Sequence, residues 1–184
     1  MRGLSAVLTG AAMLLAAMPV PAQDVALVIA NRFYDNTMDA TQMRRIGALE
    51  AVLAERGFDV LAYRDLSAAE FDREAPDITR HLSDAGRVVV VLGGHAVETG
   101  RDAFLLTTDA SRVDAFSAGR TGISIGAVLD LAAGARNAAV VAVADSRRTL
   151  PVGAGVRNGF TPGEVPEGVT VVAGPAAPLA EFIE

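Results

Sequence analysis

The sequence predicts an α/β domain built as a three-layer sandwich, in which a mostly parallel central sheet lies between two layers of helices. Short apolar runs suited to buried strands alternate along the chain with segments of helical periodicity. Such alternation is typical of parallel sheets that carry helices on both faces. Hydrophobic residues make up 51% of the 184-residue chain, which is enough apolar material for one packed core.

The first half of the domain begins with a buried strand at residues 24–30 (DVALVIA) and a polar loop. An apolar stripe at helical spacing then predicts a helix, which Gly57 ends and which a strand at 59–63 follows. The stripe consists of Ile46, Leu49, Val52 and Leu53.

Ser67 and Glu70 form a capping box that predicts the start of the next helix. Because proline removes a helical hydrogen bond and its ring clashes with the preceding turn, Pro76 predicts a break or kink near Ala75. Four consecutive valines within 87–92 predict a central strand that is buried on both faces.

The second half of the chain continues the alternation and adds a hairpin that turns at Gly100. Its predicted elements are a strand at 104–107, a helix at 124–133, a strand at 138–144, an exposed loop over 148–168 and a last strand at 169–173.

Residues 1–22 have the pattern of a secretory signal peptide. Arg2 precedes an apolar run at 4–18 that is short for a membrane span, and Val20-Pro21-Ala22 offers small residues for cleavage after Ala22. We therefore expect a mature domain of residues 23–184 that is secreted or periplasmic and no longer attached to a membrane.

Charge and composition exclude several kinds of function. The net charge is −6 and there are no runs of Lys or Arg, which argues against nucleic acid and anionic membranes as partners. The chain has no cysteine, so thiolate catalysis, thiolate metal sites and disulfides are impossible. With two histidines and no glycine-rich phosphate loop, neither a metal nor a cofactor is predicted.

Two segments at strand ends hold the candidate functional residues. Gly94 and His95 follow the valine strand, and the run 145–148 (Asp-Ser-Arg-Arg) follows the strand at 138–144. Because ligand sites of parallel sheets form beyond the carboxyl ends of the strands, His95 is placed to act as a general base. Either segment alone is equally compatible with an ordinary loop or polar turn.

The order of these segments resembles the caspase-like cysteine peptidases, in particular the p20-like domains of bacterial caspase and metacaspase relatives. The stretch VVVVLGGHAVETGRDAFLLTTDA resembles the family's histidine region, VIANRFY its opening strand, ALEAVLAERGFDV its first helix, and VVAVADSRRTLP the segment that carries its cysteine. The resemblance extends over residues 24–180. It implies a caspase-like fold and cysteine-type endopeptidase ancestry.

The resemblance also assigns roles to particular positions. His95 matches the family's general base, Arg147 occupies the position of its nucleophilic cysteine, and Gly94 and Asp145 are candidates for substrate binding. Ser146 is a substitute nucleophile, but we expect it to face away from His95 because adjacent residues of a strand point to opposite sides. If Arg147 lies beside His95, it should lower the histidine pKa.

Two further departures concern substrate binding. Ala96 replaces the second glycine of the family's Gly-His-Gly, so its methyl group is expected to crowd the groove. Arg44-Arg45-Ile46 stands where many relatives have Asn-Asp-Ala, so an acidic side chain is lost or reversed in sign there. The chain also stops soon after its last strand, where the family fold continues, so the domain is either trimmed or a fragment.

These observations lead to one preferred function and two alternatives. The preferred one is an inactive caspase-like domain that binds a peptide or protein ligand or acts as a regulatory module. The first alternative is an endopeptidase or other hydrolase that uses Ser146, or water, with His95. The second is an unrelated flavodoxin-like binding domain.

Overall fold

The computed structural model describes residues 22–184, so the predicted signal peptide lies, except for Ala22, outside the described residues. The elements in chain order are β1 (Val25–Ala30), α1 (Arg44–Glu55), β2 (Asp59–Arg64), α2 (Ala68–Ser83), β3 (Arg87–Gly94), β4 (Ala96–Glu98), β5 (Ala103–Leu106), β6 (Gly122–Ser124), α3 (Ile125–Ala132), β7 (Ala138–Asp145), β8 (Arg157–Asn158), β9 (Val169–Gly174) and α4 (Ala176–Ile183).

The central sheet contains five parallel strands in the order β2-β1-β3-β7-β9. The structure confirms all five strands that the sequence predicts for it. All six residues of β1 are buried, as expected for a strand covered by helices on both faces. The sheet brings the carboxyl ends of β3 and β7 side by side, with Gly94 paired with Asp145.

Alternate residues of the strands face two separate cores, which makes the molecule a three-layer sandwich. Ala26 and Val28 pack with α1 and α4, whereas Leu27 and Ile29 pack with α2 and α3. Burying one leucine or isoleucine side chain completely contributes about 2 kcal/mol. The predicted fold class is therefore confirmed.

The start of α2 and the end of α1 follow the local signals, whereas Pro76 does not end a helix. Ser67 and Glu70 form the predicted capping box of α2, and Gly57 adopts a φ of 85° just after α1. The predicted break at Pro76 is wrong, because α2 continues to Ser83 with Pro76 inside it. Asp72, whose carbonyl loses its helical partner, is exposed, so water can satisfy that oxygen.

A second sheet was only partly evident from the sequence. The predicted hairpin is present as β4 and β5, but it belongs to a four-stranded antiparallel sheet in the order β6-β5-β4-β8. The segment 148–168 is not a wholly exposed loop, since it contains β8 and the buried side chains of Leu150 and Val156. Asn158 fixes this segment by two hydrogen bonds to the backbone of Leu150, of 3.0 and 2.9 Å.

The C-terminal helix α4 is an element that the sequence analysis did not predict. It packs beside α1, and the Arg56 guanidinium donates a 2.8 Å hydrogen bond to the carbonyl of Ile183. Within residues 22–184, no helix has both the length and the apolar character needed to cross a bilayer.

Candidate active site

His95 and Ser146 lie next to each other at the carboxyl edge of the central sheet. Each follows directly after the paired residues Gly94 and Asp145, and the Ser146 amide continues the ladder with a 2.8 Å bond to the Gly94 carbonyl. Residues abreast on parallel strands project to the same side of a sheet. The Ser146 hydroxyl oxygen is consequently 2.6 Å from His95 Nδ1.

This contact corrects the expectation that Ser146 faces away from His95. That expectation took Arg147 as the residue abreast of His95, whereas the strand register puts Ser146 there. Arg147 instead is exposed and has a φ of 54°, a left-handed conformation in which the chain leaves β7. Its assignment to the family's cysteine position stays a prediction from the resemblance.

The hydrogen bonds of His95 fix its tautomer. Nε2 lies 2.5 Å from the carbonyl oxygen of Met38, which can only accept, so Nε2 carries the proton. Nδ1 then accepts from the Ser146 hydroxyl. The arrangement has a hydroxyl, a base and a group that orients the base, which are the parts of an activated nucleophile.

Tyr34 and Asn31 fix the position of His95 through hydrogen bonds and ring packing. The Tyr34 hydroxyl accepts a 3.0 Å bond from the His95 amide and donates one of 3.4 Å to the Leu106 carbonyl, and its ring centroid is 4.4 Å from that of the imidazole. Asn31 donates to the same carbonyl and accepts from the Leu66 amide, at 2.9 and 3.0 Å. Burial raises the pKa of Tyr34, so its hydroxyl stays protonated.

The two glycines before His95 are required by this packing. A Cβ on Gly94 would lie 2.6 Å from the Tyr34 hydroxyl oxygen, closer than van der Waals contact allows. One on Gly93 would lie 3.0 Å from the Ile46 side chain. Gly94 thus has a packing role here, next to its predicted role in substrate binding.

Burial is the main cause of the lowered pKa of His95, whose side chain is fully enclosed with a residue exposure of 1%. The bond to the Met38 carbonyl and the charge of Asp145 oppose this lowering, while the charge of Arg148 adds to it. The predicted lowering therefore exists, but its main cause is desolvation rather than Arg147. The imidazole is neutral at pH 7.

Asp145 is half-buried, and burial raises the pKa of its carboxyl group. One of its oxygens accepts a 3.3 Å hydrogen bond from the Ala96 amide. The carboxylate thus connects the start of β4 to the end of β7. Gln42 adds a second bridge, because its side chain donates a 3.0 Å bond to the Ser146 carbonyl.

Met38 and Gln42 are site residues that the sequence analysis missed. Met38 contributes only its backbone carbonyl, which no side-chain pattern can reveal. Gln42 lies in a 3₁₀ turn before α1 and reaches a residue more than one hundred positions away. No sequence signal identifies either contact.

Fold and site together define a class of protein: an α/β sandwich with a histidine at the end of its central parallel strand. Residues 23–142 match the model of peptidase family C14, described as the caspase domain. The match extends over more than half of the chain, so the chain belongs to the caspase-domain family. It includes His95 and ends before Asp145, Ser146 and Arg147.

Solved structures of the same fold include the Drosophila initiator caspase Dronc, at 13% identity and a TM-score of 0.50, with 70% of this chain and 50% of that chain covered. Pro-sf-caspase-1 is similar at 18% identity and a TM-score of 0.46, and the match covers 84% of this chain and 62% of that chain. A Geobacter sulfurreducens protein has 12% identity, a TM-score of 0.44 and coverage of 67% and 50%.

The chain thus spans about half the length of the Dronc structure. At this identity the likeness concerns the fold alone. No curated protein matches the chain.

Proposed function

We propose that this protein is an exported caspase-like domain that binds a peptide or protein and does not cleave it. The absence of cysteine from all 184 residues rules out the thiolate attack by which cysteine peptidases work. The surroundings of His95 support the proposal independently of the missing cysteine.

One observation carries the proposal: the polar groups with which a hydrolase would contact its substrate are already hydrogen-bonded to other protein atoms. His95 is 1% exposed, and both of its ring nitrogens have protein partners. The amide of Ser146 donates to the Gly94 carbonyl at 2.8 Å, and that of Ala96 donates to Asp145 at 3.3 Å. An oxyanion needs free donors at this point, and these two amides are not free.

Arg147 supplies the contact through which we expect ligands to bind. Its side chain is exposed beside this closed site, and Arg148 next to it is exposed as well. A guanidinium in that position can pair with a carboxylate of an extended peptide, whose backbone would add to a sheet edge. Export rests on the pattern of residues 1–22, with cleavage after Ala22.

The 2.6 Å contact between Ser146 and His95 favours one alternative function, a serine-type hydrolase. In that reaction the Ser146 oxygen would attack a carbonyl carbon while its proton passes to Nδ1, and the Met38 carbonyl would stabilise the resulting imidazolium at Nε2. The hydroxyl itself is buried, with 9% exposure of the residue. The loop after β7 would have to move before a substrate could approach.

A cleavage assay on a mixed peptide library separates the two functions. We expect no turnover by the wild-type protein beyond a buffer control. Turnover that His95→Ala abolishes would contradict the proposal and identify Ser146 as the nucleophile. His81→Ala is the matched control, since His81 is the other histidine of the chain and lies on α2, away from the site.

A pair of cysteine variants tests the enclosure of the site directly. Ser146→Cys introduces a thiol at the buried position, and Arg147→Cys introduces the same thiol one residue later on the surface. Because reactivity with iodoacetamide requires access to the sulfur, we expect Arg147→Cys to react at least 100-fold faster. Equal rates would mean that the site is open.

Ligand binding is tested by fluorescence polarisation with labelled acidic and neutral peptides of equal length. We expect acidic peptides to bind more tightly, and Arg147→Ala to remove that preference. Arg101→Ala removes the same charge from another exposed position and should leave the preference intact. An unchanged preference in Arg147→Ala would contradict this part of the proposal.

A further inference from the structure

Two adjoining cavities open beside α1, away from the enclosed imidazole of His95. Their volumes are about 450 and 240 Å³, and they share Arg32 and Arg44 as lining residues. The remaining walls consist of Phe33, Thr41 and Gln42 in the larger cavity and Ala30, Gly47, Ala48 and Arg64 in the smaller one. Three arginines thus line this pair of cavities.

The charges of these arginines are only partly balanced by the protein. Arg64 is neutralised by Glu50, at 2.6 Å, and also donates to the Gly47 carbonyl. The Arg32 Nε atom lies 3.9 Å from Asp65 Oδ2, and the same carboxylate accepts hydrogen bonds from the backbone amides of Arg32 and Phe33, at 2.6 and 3.0 Å. Among the interactions of residues 22–184, the Arg44 side chain takes part in no ion pair or hydrogen bond.

Arg32 also lacks the hydrogen bonds that a guanidinium usually makes. Its Nε atom is buried without a hydrogen-bond partner in the described part of the chain, and its guanidinium carbon lies 4.6 Å above the Phe33 ring. Phe33 is itself 50% exposed, so the pair forms an open wall of the larger cavity. A guanidinium that lines an open cavity can provide the planar, charged recognition that carboxylate and phosphate groups need.

We propose that this pair of cavities, which we call the arginine pocket, binds an oxyanion. The oxyanion would be a phosphate or carboxylate group held between Arg32 and Arg44. Thr41 and Gln42 lie on the same wall, and the Gln42 side-chain amide, which already donates to the Ser146 carbonyl, has a second N–H. The glycine at position 47 keeps the smaller cavity open, since a Cβ there would lie 3.3 Å from Arg64 Nε. Neither Arg147 nor Ser146 lines the pocket, although Gln42 contacts both the larger cavity and the Ser146 carbonyl.

The experiment is a titration of the full-length protein with inorganic phosphate and, separately, with succinate, at constant ionic strength. Binding is followed by the amide NMR shifts of residues 30–33 and 41–48. We expect saturable shifts confined to these residues with at least one of the two probes. Saturation by phosphate alone identifies a phosphoryl ligand, and saturation by succinate alone identifies a carboxylate.

Arg44→Ala should lower the affinity for the saturating probe by at least tenfold, because the variant removes the charge that has no protein partner. Arg45→Ala is the matched control: it removes the same charge from the next residue, which pairs with Glu181 at 3.5 Å and does not line the pocket. That variant should bind within twofold of the wild type. Equal weakening in both variants, or no saturation by either probe in the wild type, would overturn the proposal.

Discussion

The His95–Ser146 cluster and the arginine pocket share one edge of the molecule but treat their polar groups in opposite ways. In the cluster, His95, Ser146 and Asp145 all bond to other protein atoms in a largely buried setting. In the pocket, Arg32 and Arg44 line an open hollow, and neither side chain donates a hydrogen bond to residues 22–184. The cluster therefore differs from the pocket in burial and in the number of polar groups that already have protein partners.

One short segment of chain joins the two regions. Met38 binds His95 through its carbonyl, and Gln42 binds the Ser146 carbonyl and also lines the arginine pocket. Substitutions in the cluster should consequently change stability, whereas substitutions at the pocket should change binding. The following predictions test that difference, beginning with the largest effect.

Asn31→Ala should cost about 3 kcal/mol of unfolding free energy. The substitution leaves the buried Leu66 amide and one of the bonds to the Leu106 carbonyl without a partner, and each such loss costs ~1–3 kcal/mol. Denaturant unfolding measures the change. Asn36→Ala is the control, since Asn36 is exposed and makes a single bond, to the Asp109 carbonyl; a similar loss in both variants would mean that the cluster has no special structural weight.

Stability should fall as the pH drops below ~6.5, because the pKa of His95 is lower in the folded protein than in the unfolded chain. The unfolded chain then binds the extra proton, so the contribution of His95 is complete above that pH and declines below it. For the uptake of one proton the slope is at most about 1.4 kcal/mol per pH unit, and we expect a measurable loss of unfolding free energy between pH 6.5 and 5.5.

Unfolding free energies of the wild type, His95→Asn and His81→Asn at these pH values measure this slope. The groups facing His95 are Asp145, Asp39 and Arg148. Burial raises the pKa of Asp145, so its contribution to the pH dependence of stability has the opposite sign. A slope that persists in His95→Asn would assign the pH dependence to another group.

Arg147→Gly should stabilise the protein by about 0.5–1 kcal/mol, because glycine adopts a φ of 54° without the steric cost that a side chain carries. Arg148→Gly removes the same charge from a residue without a positive φ and should be neutral or slightly destabilising. Thermal unfolding of the two variants measures the difference. Stabilisation by both would indicate that charge, not backbone conformation, is responsible.

Arg45→Ala should change the unfolding free energy by less than about 0.5 kcal/mol, because its pair with Glu181 is exposed on both sides. Denaturant unfolding measures this as well. A loss above about 1 kcal/mol would show that α4 depends on this pair, and Arg45→Ala would then no longer serve as a neutral control for the arginine pocket.

Much of the fold was predictable because its signals are local. The valines of β3, the capping box at Ser67 and the glycine after α1 each specify an element within a few residues. The predicted break at Pro76 was wrong because water can replace the helical hydrogen bond that proline removes at this exposed position. The second sheet and α4 were missed because β8 has two residues and α4 is stabilised by packing on α1.

The candidate site was predictable in its members but not in its geometry. His95, Asp145 and Ser146 were identified from strand ends and from the family pattern, and all three lie together. Their mutual orientation depended on the register between β3 and β7, and an error of one residue reversed the direction assigned to Ser146.

By itself, the sequence determined the three-layer α/β class, the buried parallel strands and the absence of a thiol nucleophile, because hydrophobic period, capping residues and composition act locally or are simple counts. Only the tertiary structure decided that Ser146 rather than Arg147 meets His95, that the Met38 carbonyl fixes the imidazole, and that Arg32 and Arg44 share a pocket. These contacts join residues far apart in the chain, and strand register and side-chain packing, which no local pattern records, bring them together.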